Sequence, residues 1–306
     1  MPRRRPVLQA QILPAALAIS LALLAPGCAK RAPGPVTFGV VSDCQFAAVA
    51  PSGTRFYDRS WLKLREALDL FNVRGVRFVA HLGDLIDRDA ASYDLILPVF
   101  AHSRAPVRFV IGNHDYDIAA DRKAGLLDRL GLAPGYYAFS EGDWRFVVLN
   151  GDELGVNFPK DVGLARESDA LFAALEATGR PNATKWNGGI GRAQLAFLER
   201  ELAAADRDGL RAVVLCHFPV HPPAGHNPWN DEEVVALLER HSCVKAYLSG
   251  HNHEGGLAVR NGIAYLTFAG MVETAETSAA AVVTLTDDRL TVEGIGREPS
   301  RAIPLR

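Results

Sequence analysis

V-V-S-D-C-Q-F, residues 40–46, runs from β-branched apolar residues directly into a carboxylate and an amide set two positions apart. In a strand, alternate side chains share a face, so Asp43 and Gln45 are expected to project together while Cys44 turns the other way. Two oxygen donors meeting at the end of a buried strand are costly to bury unless a cation takes them. Whether other strands of the chain end in the same manner decides the fold.

They do. V-A-H-L (residues 79–82) leads into G-D-L-I-D-R, F-V-I (109–111) into G-N-H-D, V-V-L-C (213–216) into His217, and A-Y-L-S (246–249) into G-H-N-H. Taken singly, each has a structural reading: His217 as a hydrogen-bonded core residue, Asp84 as a helix cap, Asn113 as a turn former. Five strand-like runs that all end in a carboxylate, amide or imidazole form a pattern. Ligands of open α/β sheets bind outside the carboxyl ends of the strands, so the five clusters are expected to converge on one site.

The set Asp43, Gln45, Asp84, Asn113, His217, His251 and His253 offers oxygen and imidazole donors and no thiolate. Such donors suit Mn²⁺, Fe²⁺ or Zn²⁺ at a working site better than structural zinc or calcium. Seven side chains exceed what one ion takes. Two ions sharing a bridging carboxylate would use them, as in enzymes that cleave phosphate esters with metals about 3.5–4 Å apart.

The remaining pattern is that of an α/β domain. V-T-F-G-V-V-S, V-R-F-V-I, W-R-F-V-V-L-N, V-K-A-Y-L-S, I-A-Y-L-T-F and A-A-V-V-T-L-T read as strands bounded by turn residues. Residues 58–74 and 192–206 carry apolar side chains at helical spacing. The C-terminal third is richer in strands than helices, and residues 151–191 read as a loop-rich insertion that serves as a lid or substrate-binding excursion. Helices are expected to cover the outer sides of the sheets.

The chain has 306 residues, 48% of them hydrophobic, and a net charge of -2. That is ample for a sizeable core, and without a clustered basic excess it excludes a nucleic-acid surface. M-P-R-R-R-P followed by I-L-P-A-A-L-A-I-S-L-A-L-L-A and P-G-C-A-K reads as a signal peptide over residues 1–28. Gly27-Cys28 resembles the end of a bacterial lipoprotein signal, which places the mature protein in the periplasm or cell envelope, anchored to a membrane through a lipidated Cys28. Residues 29–36 read as a tether and 37–300 as the folded domain. Cys44, Cys216 and Cys243 form no C-x-x-C pair and read as structural thiols.

Asp43-x-Gln45, Gly83-Asp84-x-x-Asp87, Gly112-Asn113-His114-Asp115, His217 and Gly250-His251-Asn252-His253 together resemble the motif series of the calcineurin-like metallophosphoesterases. The resemblance implies a double β-sandwich flanked by helices, a four-layer α/β/β/α arrangement. Most members carry Asp-x-His where this chain has Asp43-Cys44-Gln45. A Gln there resembles a smaller branch, the manganese-dependent ADP-ribose/CDP-alcohol diphosphatases, as do Y-Y-A-F, W-N-G-G-I-G-R-A-Q-L-A-F-L and G-M-V-E-T-A-E-T-S-A-A-A.

By matching motif, the resemblance implies one metal held by Asp43, Gln45 and His253, a second by Asn113, His217 and His251, and Asp84 bridging them. It also implies that water activated at the ions attacks phosphorus while His114 protonates the leaving oxygen, oriented by Asp87. A neutral amide in place of imidazole favours harder Mn²⁺ over zinc. The implied substrate is a small nucleotide, ADP-ribose or a CDP-alcohol, cleaved at its phosphoanhydride. A phosphomonoesterase or cyclic-nucleotide phosphodiesterase on the same site, and a non-catalytic metal-binding lipoprotein, are the alternatives. Arg88 is a candidate phosphate grip. Phe46, Phe56, Tyr57, Trp186 and Trp229 are candidate stacking partners for a base and equally candidates for core packing, with Asn187 beside Trp186 also a candidate substrate contact.

Overall fold

The computed structural model describes residues 34–305. The expected signal peptide over residues 1–28, Cys28 included, and residues 29–33 of the expected tether lie outside the described residues. In chain order the strands are β1 (Val36–Val41), β2 (Val79–His81), β3 (Val107–Phe109), β4 (Tyr137–Glu141), β5 (Trp144–Val148), β6 (Arg211–Leu215), β7 (Val244–Ser249), β8 (Gly256–Arg260), β9 (Ile263–Thr267), β10 (Ala279–Leu285), β11 (Arg289–Gly296) and β12 (Arg301–Pro304). The helices are α1 (Ser60–Arg74), α2 (Ser92–Ile96), α3 (Ala120–Lys123), α4 (Leu126–Arg129), α5 (Val162–Glu176), α6 (Arg192–Asp208) and α7 (Asp231–Glu239).

Two six-stranded mixed sheets result, ordered β12-β11-β10-β1-β2-β3 and β4-β5-β6-β7-β9-β8. Parallel pairing joins β1 to β2 and β2 to β3 in the first sheet and runs from β5 through β6 and β7 to β9 in the second. Their carboxyl ends therefore open along common edges, where the polar clusters fall.

Alternation along the strands builds the layers. Val36, Phe38 and Val40 of β1 point between the sheets, where they meet Phe78, Trp144, Phe146 and Val148 in one buried cluster. Phe38 stacks on Phe78 with centroids 4.7 Å apart, and Phe146 meets Phe78 edge-on at 5.0 Å. Val41 faces the other way, onto Leu64, Leu68 and Phe71 of α1. On the outer side of the second sheet, Leu198 and Leu202 of α6 and Val234 and Leu238 of α7 cover Val214 and Tyr247. The order is helix, sheet, sheet, helix, as expected from the sequence.

Two expectations need correction and one needs refinement. The domain is wider than residues 37–300, because Val36 pairs with Leu285 and β12 extends the first sheet to Pro304. Residues 151–191 are loop-rich as expected, but they also hold one helix: α5 occupies 15 of the 41, its N-terminus capped by Asp161, whose side chain accepts from Leu164 N. The apolar stripe of α5 is Leu164, Leu171, Phe172 and Leu175, which packs on Leu154 and Trp229; intervening charges and Gly163 obscure its period. Finally, β1 ends at Val41, so Asp43 and Gln45 do not converge through strand alternation. Both have φ in the left-handed region, +51° and +41°, and it is this pair of turns that aims their side chains at one point.

Candidate metal centre

Asp84 and His251 share that unusual backbone, with φ of +54° and +66°. Four candidate ligands in left-handed conformations, each costing on the order of 1–3 kcal/mol, mark a site whose surroundings over-determine it. Part of that determination comes from Asp115, which is fully buried. Its Oδ2 accepts from Asp84 N at 3.0 Å and Gly112 N at 2.9 Å, and its Oδ1 from Leu85 N at 3.0 Å and Tyr93 Oη at 2.8 Å. One carboxylate thus fastens the loop after β2 to the loop after β3. Gly112 is required at that junction, since a Cβ there would overlap the Asp84 carboxylate. Asp115 was visible in the sequence only as the last letter of G-N-H-D, and no local signal gave it this role.

The side chains meet as two groups around Asp84. His217 Nε2 lies 3.2 Å from Asp84 Oδ2, and ligand atoms of Asp84, His217 and His251 all fall within 4.8 Å of one another. On the other side, His253 Nε2 lies 3.3 Å from Asp43 Oδ1 and 3.3 Å from Gln45 Nε2, while Gln45 Nε2 donates to Asp84 Oδ2 at 3.1 Å. His114 N donates to the other oxygen of Asp84 at 2.8 Å.

Each imidazole is gripped on the nitrogen turned away from the centre. His217 Nδ1 donates to Leu82 O at 2.8 Å, His251 Nε2 to Asn187 Oδ1 at 3.1 Å, and His253 Nδ1 to the Glu273 carboxylate. That leaves the opposite nitrogens facing the middle of the site, where an ion displacing their protons would find the tautomer it needs. Asn187, Glu273 and Leu82 were not recognised as acceptors from sequence, because each lies far along the chain from the histidine it holds.

Whether the site fits divalent ions is decided by its unsatisfied atoms. Asp43 Oδ1, Gln45 Oε1, Asn113 Oδ1 and His217 Nε2 are all buried without a hydrogen-bond partner. Buried polar atoms left unpaired cost about 1–3 kcal/mol each. Four of them converging on the buried Asp84 carboxylate describe a cation site of oxygen and imidazole donors, and the residues fit two such ions.

Electrostatics agree. Burial opposes charge on His217, yet the Asp84 carboxylate 3.2 Å away, and beyond it Asp43, raise the imidazole's pKa to about 10. His251, buried and facing the His217 charge, is driven well below the ordinary histidine range. Burial would raise the Asp84 carboxyl, but His217 and His114 outweigh it and hold the group ionised. The anionic pair is thus drawing positive charge from whatever lies nearest.

A cavity of about 250 Å³ opens on these residues, walled by Gln45, Asp84, Asn113, His114, His251 and His253 with Arg55, Trp186 and His226 at its rim. His114 Nδ1 donates to Asp87 Oδ1 at 3.1 Å, leaving Nε2 available. Trp186 is 58% exposed. The other candidate substrate contacts lie elsewhere. Phe46 is buried in the cluster under α1, Tyr57 is buried with Ala47 and Val272, and Trp229 is buried beneath α5. Arg88 reaches not into the cavity but onto Tyr57, its Nη2 donating to the phenol oxygen at 3.1 Å. Phe56 is half-buried and spends its backbone N–H on Val272 O. Asn187 is wholly buried, with Nδ2 donating to Asn182 O and Gly225 O, so it braces His251 rather than facing the cavity. Cys44, Cys216 and Cys243 are free and buried, as structural thiols should be.

Residues 36–255 match the family model of the calcineurin-like phosphoesterases. The chain belongs to that family. Among its relatives, this phosphoesterase is 28% identical over 311 residues to the manganese-dependent ADP-ribose/CDP-alcohol diphosphatase of Arabidopsis thaliana, covering 90% of this chain and 98% of the relative. It is 27% identical over 312 residues to the human protein of the same name, covering 87% of this chain and 91% of the relative. A dimetal phosphatase of Danio rerio shares its fold with a TM-score of 0.81 at 26% identity, over 89% of this chain and 99% of that one. The chain is a metal-dependent hydrolase of phosphoester or phosphoanhydride bonds.

Proposed function

We propose that the protein hydrolyses the phosphoanhydride of nucleoside diphosphate-linked compounds, with ADP-ribose and CDP-alcohols as the substrate class and Mn²⁺ as the working metal. The observation that carries this reading is Gln45, whose buried Oε1 has no partner and stands where most members of the family carry imidazole. Relatives named for that activity align over nearly the whole described domain.

One ion would be held by Asp43, Gln45 and His253, the other by Asn113, His217 and His251, with Asp84 between them. When bound, the ions supply Lewis-acid polarisation of phosphate oxygens and lower the pKa of water toward neutrality. His114 supplies the proton. Burial works against its charged form, but Asp84 and the bond His114 donates to Asp87 raise its pKa, which favours a proton on Nε2 for the departing phosphate oxygen. Asp87 fixes the ring plane. Arg55 puts a fixed positive charge on the wall, and the exposed face of Trp186 offers a base a surface for stacking. The N-terminal segment supports export, which would have the enzyme act on nucleotides outside the cytoplasm; a mature chain found in the cytosol would contradict that.

Hydrolysis of ADP-ribose with Mn²⁺ in H₂¹⁸O tests the reading. AMP and ribose 5-phosphate, with a single ¹⁸O on one of the two, is the expected result. Intact substrate, or release of adenine or inorganic phosphate in place of the two monoesters, would overturn it.

A further inference from the structure

Glu273 lies in G-M-V-E-T, a stretch set apart in the sequence but given no work by the reading above. The chain leaves β9 and passes beneath the metal centre as a short strap, residues 270–274, which includes one turn of 3₁₀ helix (Met271–Glu273). Three successive backbone N–H groups of this strap are committed to the ligand loops. Gly270 N donates to His253 O at 3.1 Å, Met271 N to Ser42 O at 3.0 Å, and Val272 N to Asp43 O at 3.0 Å.

Two cations tighten it from outside. Lys63 of α1, 2% exposed, donates through Nζ to Met271 O and to Thr274 O, and Arg297 donates to Gly270 O at 2.9 Å and to His253 O at 3.4 Å. A buried lysine whose hydrogen-bond partners are backbone carbonyls is expensive. Such a cost is consistent with a strap that must not move. What the strap presents is the Glu273 carboxylate, on the Nδ1 side of His253; Arg55 Nε stands 4.0 Å from the same oxygen.

We propose that Glu273 is a positioning residue for the metal site of Asp43, Gln45 and His253. It accepts the Nδ1 proton of His253, which leaves Nε2 as the ligand and makes that nitrogen a stronger donor. The inference rests on the dinuclear reading of the site but not on the identity of the substrate. Its chemical logic lies in Gln45. A neutral amide is a weaker donor than the imidazole common in the family, and an outer carboxylate on the neighbouring histidine restores electron density to the same ion. The partner site already has Asn187, a neutral acceptor, on His251 and has no such anion on that ring. Glu273 therefore acts on one ion of the two.

The test is Mn²⁺ titration of the full chain stripped of metal, by calorimetry or by electron paramagnetic resonance, which gives two dissociation constants and their ratio without any substrate. Outer-shell partners of this kind change metal affinity by roughly 10–100-fold. Glu273→Ala is expected to change the ratio of the two constants at least fivefold by weakening one site, with Glu273→Gln, which keeps an acceptor but not the charge, falling between it and the unmodified protein. A ratio changed less than fivefold, or both constants weakened in parallel, would overturn the assignment. Should circular dichroism show Glu273→Ala unfolded, the ratio for Glu273→Gln decides by the same fivefold criterion. Uptake of fewer than two ions by the unmodified protein would instead strike at the dinuclear reading itself, and the inference would fall with it.

Discussion

His114 Nδ1 lies 3.1 Å from Asp87 Oδ1, so the ring at the mouth of the centre has a fixed plane and one free nitrogen. Its role as proton donor should separate from metal binding. His114→Ala is expected to lower kcat by about 10²–10⁴-fold while two Mn²⁺ still bind. Asp87→Asn should lower it less, because an amide oxygen can still orient the ring. Steady-state rates beside metal titrations check both, and loss of metal on His114→Ala would contradict the assignment.

Asp115 ties two ligand loops together through four accepted hydrogen bonds. Replacing it with Ala strands three backbone N–H groups and a phenol in the interior. At about 1–3 kcal/mol for an unpaired buried group, with incomplete additivity, the loss should be about 3–5 kcal/mol. Urea denaturation of the metal-free protein measures it. A change below about 1 kcal/mol would mean that water or a local shift replaces the carboxylate.

Metal should stabilise the fold, because Asp43 Oδ1, Gln45 Oε1, Asn113 Oδ1 and His217 Nε2 have no hydrogen-bond partner among the described residues. Ligand at one hundred times its Kd adds about 2.7 kcal/mol for each site. Thermal melts with EDTA and with excess Mn²⁺ should therefore differ by several degrees. Asp84→Asn, which removes the shared carboxylate, should abolish most of the difference.

Asp152 is buried after β5 with one carboxylate oxygen unpaired, and burial is the main cause that raises its pKa to about 7. A carboxyl held this high is protonated in the folded protein between pH 4 and 7, where the unfolded chain has already lost the proton. Folded protein then binds more protons than unfolded, so stability falls as pH rises through this window and the full cost is present above it. At about 1.4 kcal/mol per pKa unit, that cost is on the order of 4 kcal/mol. Asp152→Asn should raise the melting temperature of the metal-free protein at pH 8 and change it little near pH 4. Equal effects at both pH values would rule out the carboxyl's ionisation as the cause.

Much of the site was legible because it sits where chain direction reverses polarity: apolar strand, then ligand, five times over. β1, β2, β3, β6 and β7 could be read this way, and their carboxyl ends do meet. β4, β8, β11 and β12 were harder. They lie at or near sheet edges, where one side faces solvent and apolar runs are broken, as in G-L-A-V-R of β8. Aromatic residues misled for a related reason: the side chains of Phe46 and Tyr57 look alike to sequence whether they line a cavity or fill a core, and both fill the core. Glu273 was out of reach since its partner is 20 residues away across two strands, β8 and β9.

The central claim is that this metal centre cleaves a phosphoanhydride. The direct measurement is phosphate release with Mn²⁺ from ADP-ribose, CDP-choline and p-nitrophenyl phosphate, with and without an added phosphomonoesterase. Phosphate from either diphosphate only when the coupling enzyme is present, and only with metal, is the expected result. Direct release from p-nitrophenyl phosphate with both diphosphates untouched would contradict the claim and leave a monoesterase in its place.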